Sequence, residues 1–135
     1  MERKTINPDS LFNSTQYGFS QIAICDPGKL VFISGQVAWD RDQKIIGAND
    51  LMTQTRQALN NVRVAVESVG GTMENIMMLR IYIVNYDSKD GPVISSVLQE
   101  YFGTLNPPPT TWINVNGLAN EEFLIEIEAQ AVIKE

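Results

Sequence analysis

Apolar residues in this 135-residue chain recur with two periods, and the order in which the periods alternate limits the fold more than any single motif. Met52, Leu59, Val62, Val66 and Val69 follow a helical repeat with Ala58 and Ala65 beside them, which predicts a helix. Asn49 or Asp50 can cap its first N–H groups, and Gly70-Gly71 can end it. A second stripe, Val93, Val97, Leu98, Tyr101 and Phe102, opens near Pro92, a residue tolerated in a first helical turn, and stops at Gly103. Between and around the helices the runs are short and β-branched. Residues 21–25 and 30–34 flank Asp26-Pro27-Gly28-Lys29 and predict a β-hairpin, with 44–46 as a short edge strand. Residues 77–84 carry apolar side chains on both alternating sets, which predicts a central strand covered on both faces. Pro107 to Pro109 stiffen the approach to a strand at 110–115. In the last strand, 123–133, Ile125, Ile127, Ala129, Ala131 and Ile133 share one face, and Glu126, Glu128 and Gln130 share the other.

This order predicts one α+β domain over 1–135, a mixed sheet with two helices on one face. Two helices cover one face only, so the other needs water or another chain. Trp112 and the two-sided strand around Tyr82 favour an oligomer.

Composition narrows the chemistry. With no histidine, every Ser-His-Asp or Cys-His mechanism is excluded, as is the commonest metal ligand. Ten Lys and Arg against sixteen Asp and Glu give a net charge of -6 with the cations scattered, so no nucleic-acid partner is expected. Cys25 is the only cysteine, no charged and apolar leader opens the chain, and no apolar run approaches the ~20 residues of a membrane span, so the expectation is a cytoplasmic protein with no membrane partner.

Three segments, in order and across nearly the whole chain, resemble the Rid (RidA/YjgF) family: Gly18-Phe19-Ser20-Gln21 followed by Leu30 to Val37; Gln57-Ala58-Leu59-Asn60-Asn61-Val62; and Leu124-Ile125-Glu126-Ile127-Glu128-Ala129. The resemblance implies a chorismate-mutase-like fold, a homotrimer whose sheets form a central barrel, and small-molecule clefts at subunit interfaces. It also implies hydrolysis of enamines and imines derived from amino acids, with no metal or organic cofactor. In deaminating members the cleft holds an aromatic from Gly-x-Tyr-Ser-Gln, the Ser-Gly-Gln loop, the arginine of Pro-Ala-Arg, and the first glutamate of Glu-Ile-Glu. Carried over residue by residue, these fall on Phe19, on Ser34, Gly35 and Gln36, on Thr110, and on Glu126.

Two of these positions depart from the pattern. Phe19 has no phenolic hydroxyl, and Thr110 stands where the arginine would grip a carboxylate. Losing one buried partner of such a pair costs roughly 2–5 kcal/mol, about 30- to 4,000-fold in binding or rate. Arg80, in an otherwise apolar strand, is the one candidate for a compensating cation.

Each candidate has a plainer alternative. Glu126 is either a general base that activates water or an interface carboxylate, with Glu128 on the same face. Ser34-Gly35-Gln36 is a ligand-facing loop or a β-bulge. Thr110 is a hydrogen-bonding group or the start of a strand, and Trp112 a cleft wall or a packing residue. The functional readings are therefore a Rid-like deaminase with Glu126 catalytic, a non-catalytic small-molecule-binding or regulatory trimer, and, as a minor alternative, an endoribonuclease.

Overall fold

A computed structural model describes residues 3–135. Strands β1 (Lys4–Ile6), β2 (Ile22–Ile24), β3 (Lys29–Gln36), β4 (Ile76–Val84), β5 (Thr110–Val115) and β6 (Ile125–Ile133) accompany helices α1 (Leu51–Ser68) and α2 (Asp90–Phe102). The main sheet has the order β3-β6-β4-β5, antiparallel except for the parallel β4–β5 pair. This is the expected α+β architecture with a mixed sheet.

The expected hairpin does not form. β2 pairs antiparallel with β1, in a separate two-stranded sheet, and β3 pairs with β6. Asp26-Pro27-Gly28 does turn the chain, but it passes it from one sheet to another, and each strand then pairs with a segment distant in sequence. The expected edge strand at 44–46 is reduced to one bridge between Trp39 and Ile45.

Helix α1 starts at Asp50, whose side chain accepts a hydrogen bond from the Thr53 N–H at 3.4 Å. Asn49 instead lies outside the helix with φ 59. Ala58, Leu59, Val62 and Val66 of α1 and Ile94, Val97 and Leu98 of α2 are buried against Leu79, Ile81 and Ile83 of β4 and Ile125, Ile127, Ala129 and Ala131 of β6. The strict alternation of buried and half-buried residues along β6 turns its isoleucines and alanines towards the helices. Its polar residues share the opposite face with Leu30 and Phe32 of β3, which are 69% and 71% exposed. Among the described residues nothing covers that face. The face of β4 expected to be covered, with Met78, Tyr82 and Val84, is only half-buried in one copy.

Three polar side chains tie the framework together. Buried Gln54 of α1 donates to the Gly47 and Glu122 carbonyls at 3.2 and 3.0 Å, and its Oε1 accepts from the Leu124 N–H at 2.9 Å, fixing the entry to β6. Asn61 donates to the Val37 and Trp39 carbonyls at 2.9 and 3.0 Å, fixing the exit from β3. Arg3, 7% exposed, donates to the carbonyls of Asn106, Met73, Glu74 and Ile76 at 2.7–3.1 Å and lies 5.5 Å from the Phe102 ring centre. Burial lowers its pKa to about 10, so the guanidinium stays charged.

Truncation of Ile127, fully buried at the centre of the core, should lower unfolding free energy by about 2–5 kcal/mol, against less than about 0.5 kcal/mol for Val64→Ala on the exposed side of α1. Denaturant melts of both variants check this, and equal losses would mean the core is misplaced.

Candidate functional site

The expected site residues fall into two groups. At one sheet edge, β3 meets β6 with a register shift between Ile33 and Gln36, so the bulge reading of Ser34-Gly35 is what the backbone shows. A bulge releases backbone groups from the ladder and re-aims nearby side chains. Here it brings the chain against Glu126. A Cβ added to Gly35 would lie 2.0 Å from the Glu126 Oε2 and 2.7 Å from its Cδ. Glycine therefore leaves the space this carboxylate occupies, and the carboxylate rests on the bulge.

Glu126 accepts no hydrogen bond from the described residues. Partial burial and the negative charge of Glu128 raise its pKa above the ordinary carboxylate value. Glu128, by contrast, accepts a hydrogen bond from the Tyr82 hydroxyl, and this bond raises the pKa of Tyr82. Of two carboxylates on one face, one is held as an acceptor and the other is left unpartnered. Gln36 lies opposite Ile127, on the helix side, and lines a cavity of about 540 Å³ with Gly35, Trp39, Asp40, Arg41 and Asn61. Ser34 is exposed on the bulge, where its carbonyl accepts from the Gln36 side chain at 3.0 Å.

The second group lies at the opposite edge. Thr110 and Trp112 stand opposite Leu79 and Ile81, so they share the helix-side face. The Trp112 Nε1–H donates to the Thr110 Oγ1 at 2.9 Å, which fixes the indole. Phe19 packs 6.2 Å from Trp112 and 6.2 Å from Phe12, and Tyr86 lies 6.5 Å from Trp112, so a row of rings walls this edge. The loop carrying Phe19 reaches it through Ser20, whose N–H donates to the Pro108 carbonyl at 3.2 Å. The proline run thus sets two site segments side by side.

Within one chain the groups do not converge. β3 and β5 are opposite edges of the sheet, and Glu126 and Trp112 project from opposite faces. Nor does Arg80 stand beside Thr110 within one chain. It stands opposite Glu128 and Thr111, which puts it on the Glu126 face and turned away from Thr110. Tyr86 and the buried hydroxyl of Ser95, which join the aromatic edge, were not marked by the sequence, because neither lies in a motif.

Among the described residues no group of three or more Cys, Asp or Glu side chains is placed to hold a metal ion, and no helix is long and apolar enough to cross a membrane.

Fold and site together define a class of small α+β proteins with polar groups divided between the two edges of one sheet. The sequence profile of the endoribonuclease L-PSP family matches residues 13–133. The chain belongs to that family, also known as Rid or YjgF. It is 33% identical over 104 residues to a RutC family protein of Pyrococcus horikoshii, covering 77% of this chain and 79% of that one. The structure of the Rid family protein YyfB from Yersinia pestis has a TM-score of 0.94 and 34% identity, covering 98% and 100% of the two chains. E. coli TdcF with bound serine has a TM-score of 0.69 and 28% identity, covering 82% and 85%.

Replacing Gly35 with alanine should push the Glu126 carboxylate off the bulge into water while costing less than about 1 kcal/mol of stability, since a flexible side-chain end yields. Carboxyl-carbon NMR titration should then show the Glu126 pKa falling back towards an ordinary value. A pKa that stays raised would mean Gly35 does not set its environment.

Proposed function

We propose that the protein hydrolyses a small enamine or imine in a cleft shared between copies, Glu126 of one copy facing the Phe19, Thr110 and Trp112 edge of the next. The observation carrying this reading is the unpartnered Glu126 carboxylate, seated on Gly35 with a raised pKa. A closed ring of copies would bury exposed Leu30 and Phe32 and join the two half-sites. We take that ring to be a homotrimer, the assembly the family resemblance implies.

The chemistry needs one base and one water. Glu126 takes a proton from water as the oxygen bonds to the C=N carbon and the π pair goes to nitrogen, which takes up a proton from solvent, giving a carbinolamine. Glu126 then returns its proton to nitrogen, and as the C–N bond breaks to release ammonia the hydroxyl proton passes to solvent, leaving a carbonyl. An enamine substrate first becomes its imine by protonation at carbon. Backbone groups freed at the Ser34–Gly35 bulge are in place to orient the reacting nitrogen or oxygen. No step requires a cofactor.

A second reading, a binding or regulatory module without turnover, is favoured by Thr110, which places a neutral hydroxyl at the arginine position and already accepts from Trp112. An RNA-cleaving role finds no support in a chain of net charge -6 without histidine.

The test follows imine decay, with imines generated by an amino-acid oxidase and, separately, by an amine oxidase. At least one should be hydrolysed faster than in buffer, and Glu126→Gln should lower that rate about 10²- to 10⁴-fold. Only the deprotonated carboxylate is a base, so the rate should fall as pH drops through the raised Glu126 pKa, at higher pH than for an ordinary glutamate. Burial opposes the charge, so Glu126→Gln should not lower the melting temperature at pH 7. If no imine is accelerated, or if the glutamine variant is fully active, the deaminase reading is wrong. Ligand-induced stabilisation without turnover would then favour the binding module.

A further inference from the structure

A cavity of about 440 Å³ opens between α2 and the aromatic edge, walled chiefly by Tyr17, Tyr86, Trp112, Ser88, Gly91 and Ser95. None of its lining residues is charged. Lys89 and Asp90, which lie between Ser88 and Gly91 in sequence, do not line it. We infer that this cavity receives the uncharged aromatic or apolar part of the ligand, so that the substrate class is a carboxylate-free imine, derived from an amine rather than an amino acid. The inference deepens the proposed function and rests on it for the word imine, but its binding component stands on the cavity alone.

Four observations support it. First, the rings are held in place: Trp112 by its bond to Thr110 at 2.9 Å, and Tyr86 by its ring contact with Trp112, with its hydroxyl close over Gly91, where an added Cβ would lie 2.8 Å from it. Fixed aromatic walls favour a flat apolar guest. Second, the other side chains at the wall, Gln16, Ser88 and Ser95, are neutral, so the cavity offers some polarity but no charge.

Third, a carboxylate would be desolvated there without a counter-charge. Thr110 is neutral, and Arg80, on the face that the next copy would bring to the cleft, stands there with two carboxylates, Glu126 and Glu128, so that face brings no net positive charge. Fourth, the start of α2 does not substitute for a cation. Asp90 already places a negative charge in the first turn, and Pro92 has no N–H to offer.

The test compares two probes of nearly the same shape, phenylacetamide and phenylacetate, by titration calorimetry with the full chain. The amide should bind about tenfold or more tightly than the carboxylate. Tyr86→Ala, checked for native circular dichroism, should weaken the amide about three- to tenfold. Trp112→Phe, which keeps an aromatic wall, should retain the preference for the amide. Phenylacetate binding as tightly as the amide, or no binding of the amide at all, overturns the inference. Because binding needs no turnover, an amide preference without imine hydrolysis would sink the deaminase reading and leave this one standing, whereas hydrolysis of amino-acid imines with equal binding of both probes would do the reverse.

Discussion

Along β6, Ile125, Ile127, Ala129, Ala131 and Ile133 alternate with Glu126, Glu128 and Gln130, and the helices cover only the first set. A shift of one residue in the pairing with β3 or β4 would send glutamates into the core, so the register is set by burial. From that register the other placements follow. Glu126 must face away from α1 and α2, Arg80 must join it, and Thr110 and Trp112 must point to the helix side. A chain with two helices and a four-stranded sheet thus leaves its best candidate base on an uncovered surface, with the aromatic wall on the other face.

The bulge at Ser34–Gly35 gives that arrangement its chemistry. A regular strand would place a side chain over β6 at this point; a glycine in a bulge leaves room for a carboxylate with no hydrogen-bond donor of its own. Glu128, two residues on, is pinned by Tyr82. Unequal partnering therefore separates two otherwise identical side chains, one held as an acceptor and the other left with a raised pKa.

Legibility in the sequence followed period and motif. Both helices and the β6 alternation could be read because each spans several repeats; Glu126, Phe19 and Thr110 stand out by the family motifs, and Trp112 by its place two residues beyond Thr110 on one strand. β1 and the partner of β2 could not be read. A three-residue strand such as Lys4–Ile6 carries no period, and its pairing with Ile22–Ile24 depends on distant chain rather than on the turn at Asp26-Pro27-Gly28. Gln54 and Ser95 were also invisible, since a polar residue inside a helical stripe shows its meaning only when its neighbours in space are known. Gln36 was assigned to the cleft by motif, and the register after the bulge turns it towards α1 instead. Arg80 illustrates the same limit: its position could be counted from sequence, but only the pairing with Glu128 shows which face it takes.

That the two half-sites meet only between copies is tested most directly by subunit complementation. Glu126→Gln and Trp112→Ala chains, each inactive alone, are unfolded together, refolded as a mixture and assayed for imine hydrolysis. Random assembly pairs an intact Glu126 with an intact aromatic edge at about one quarter of the interfaces, so about that share of wild-type activity should return. A mixture no more active than its separate components would place both halves in one chain and contradict the account.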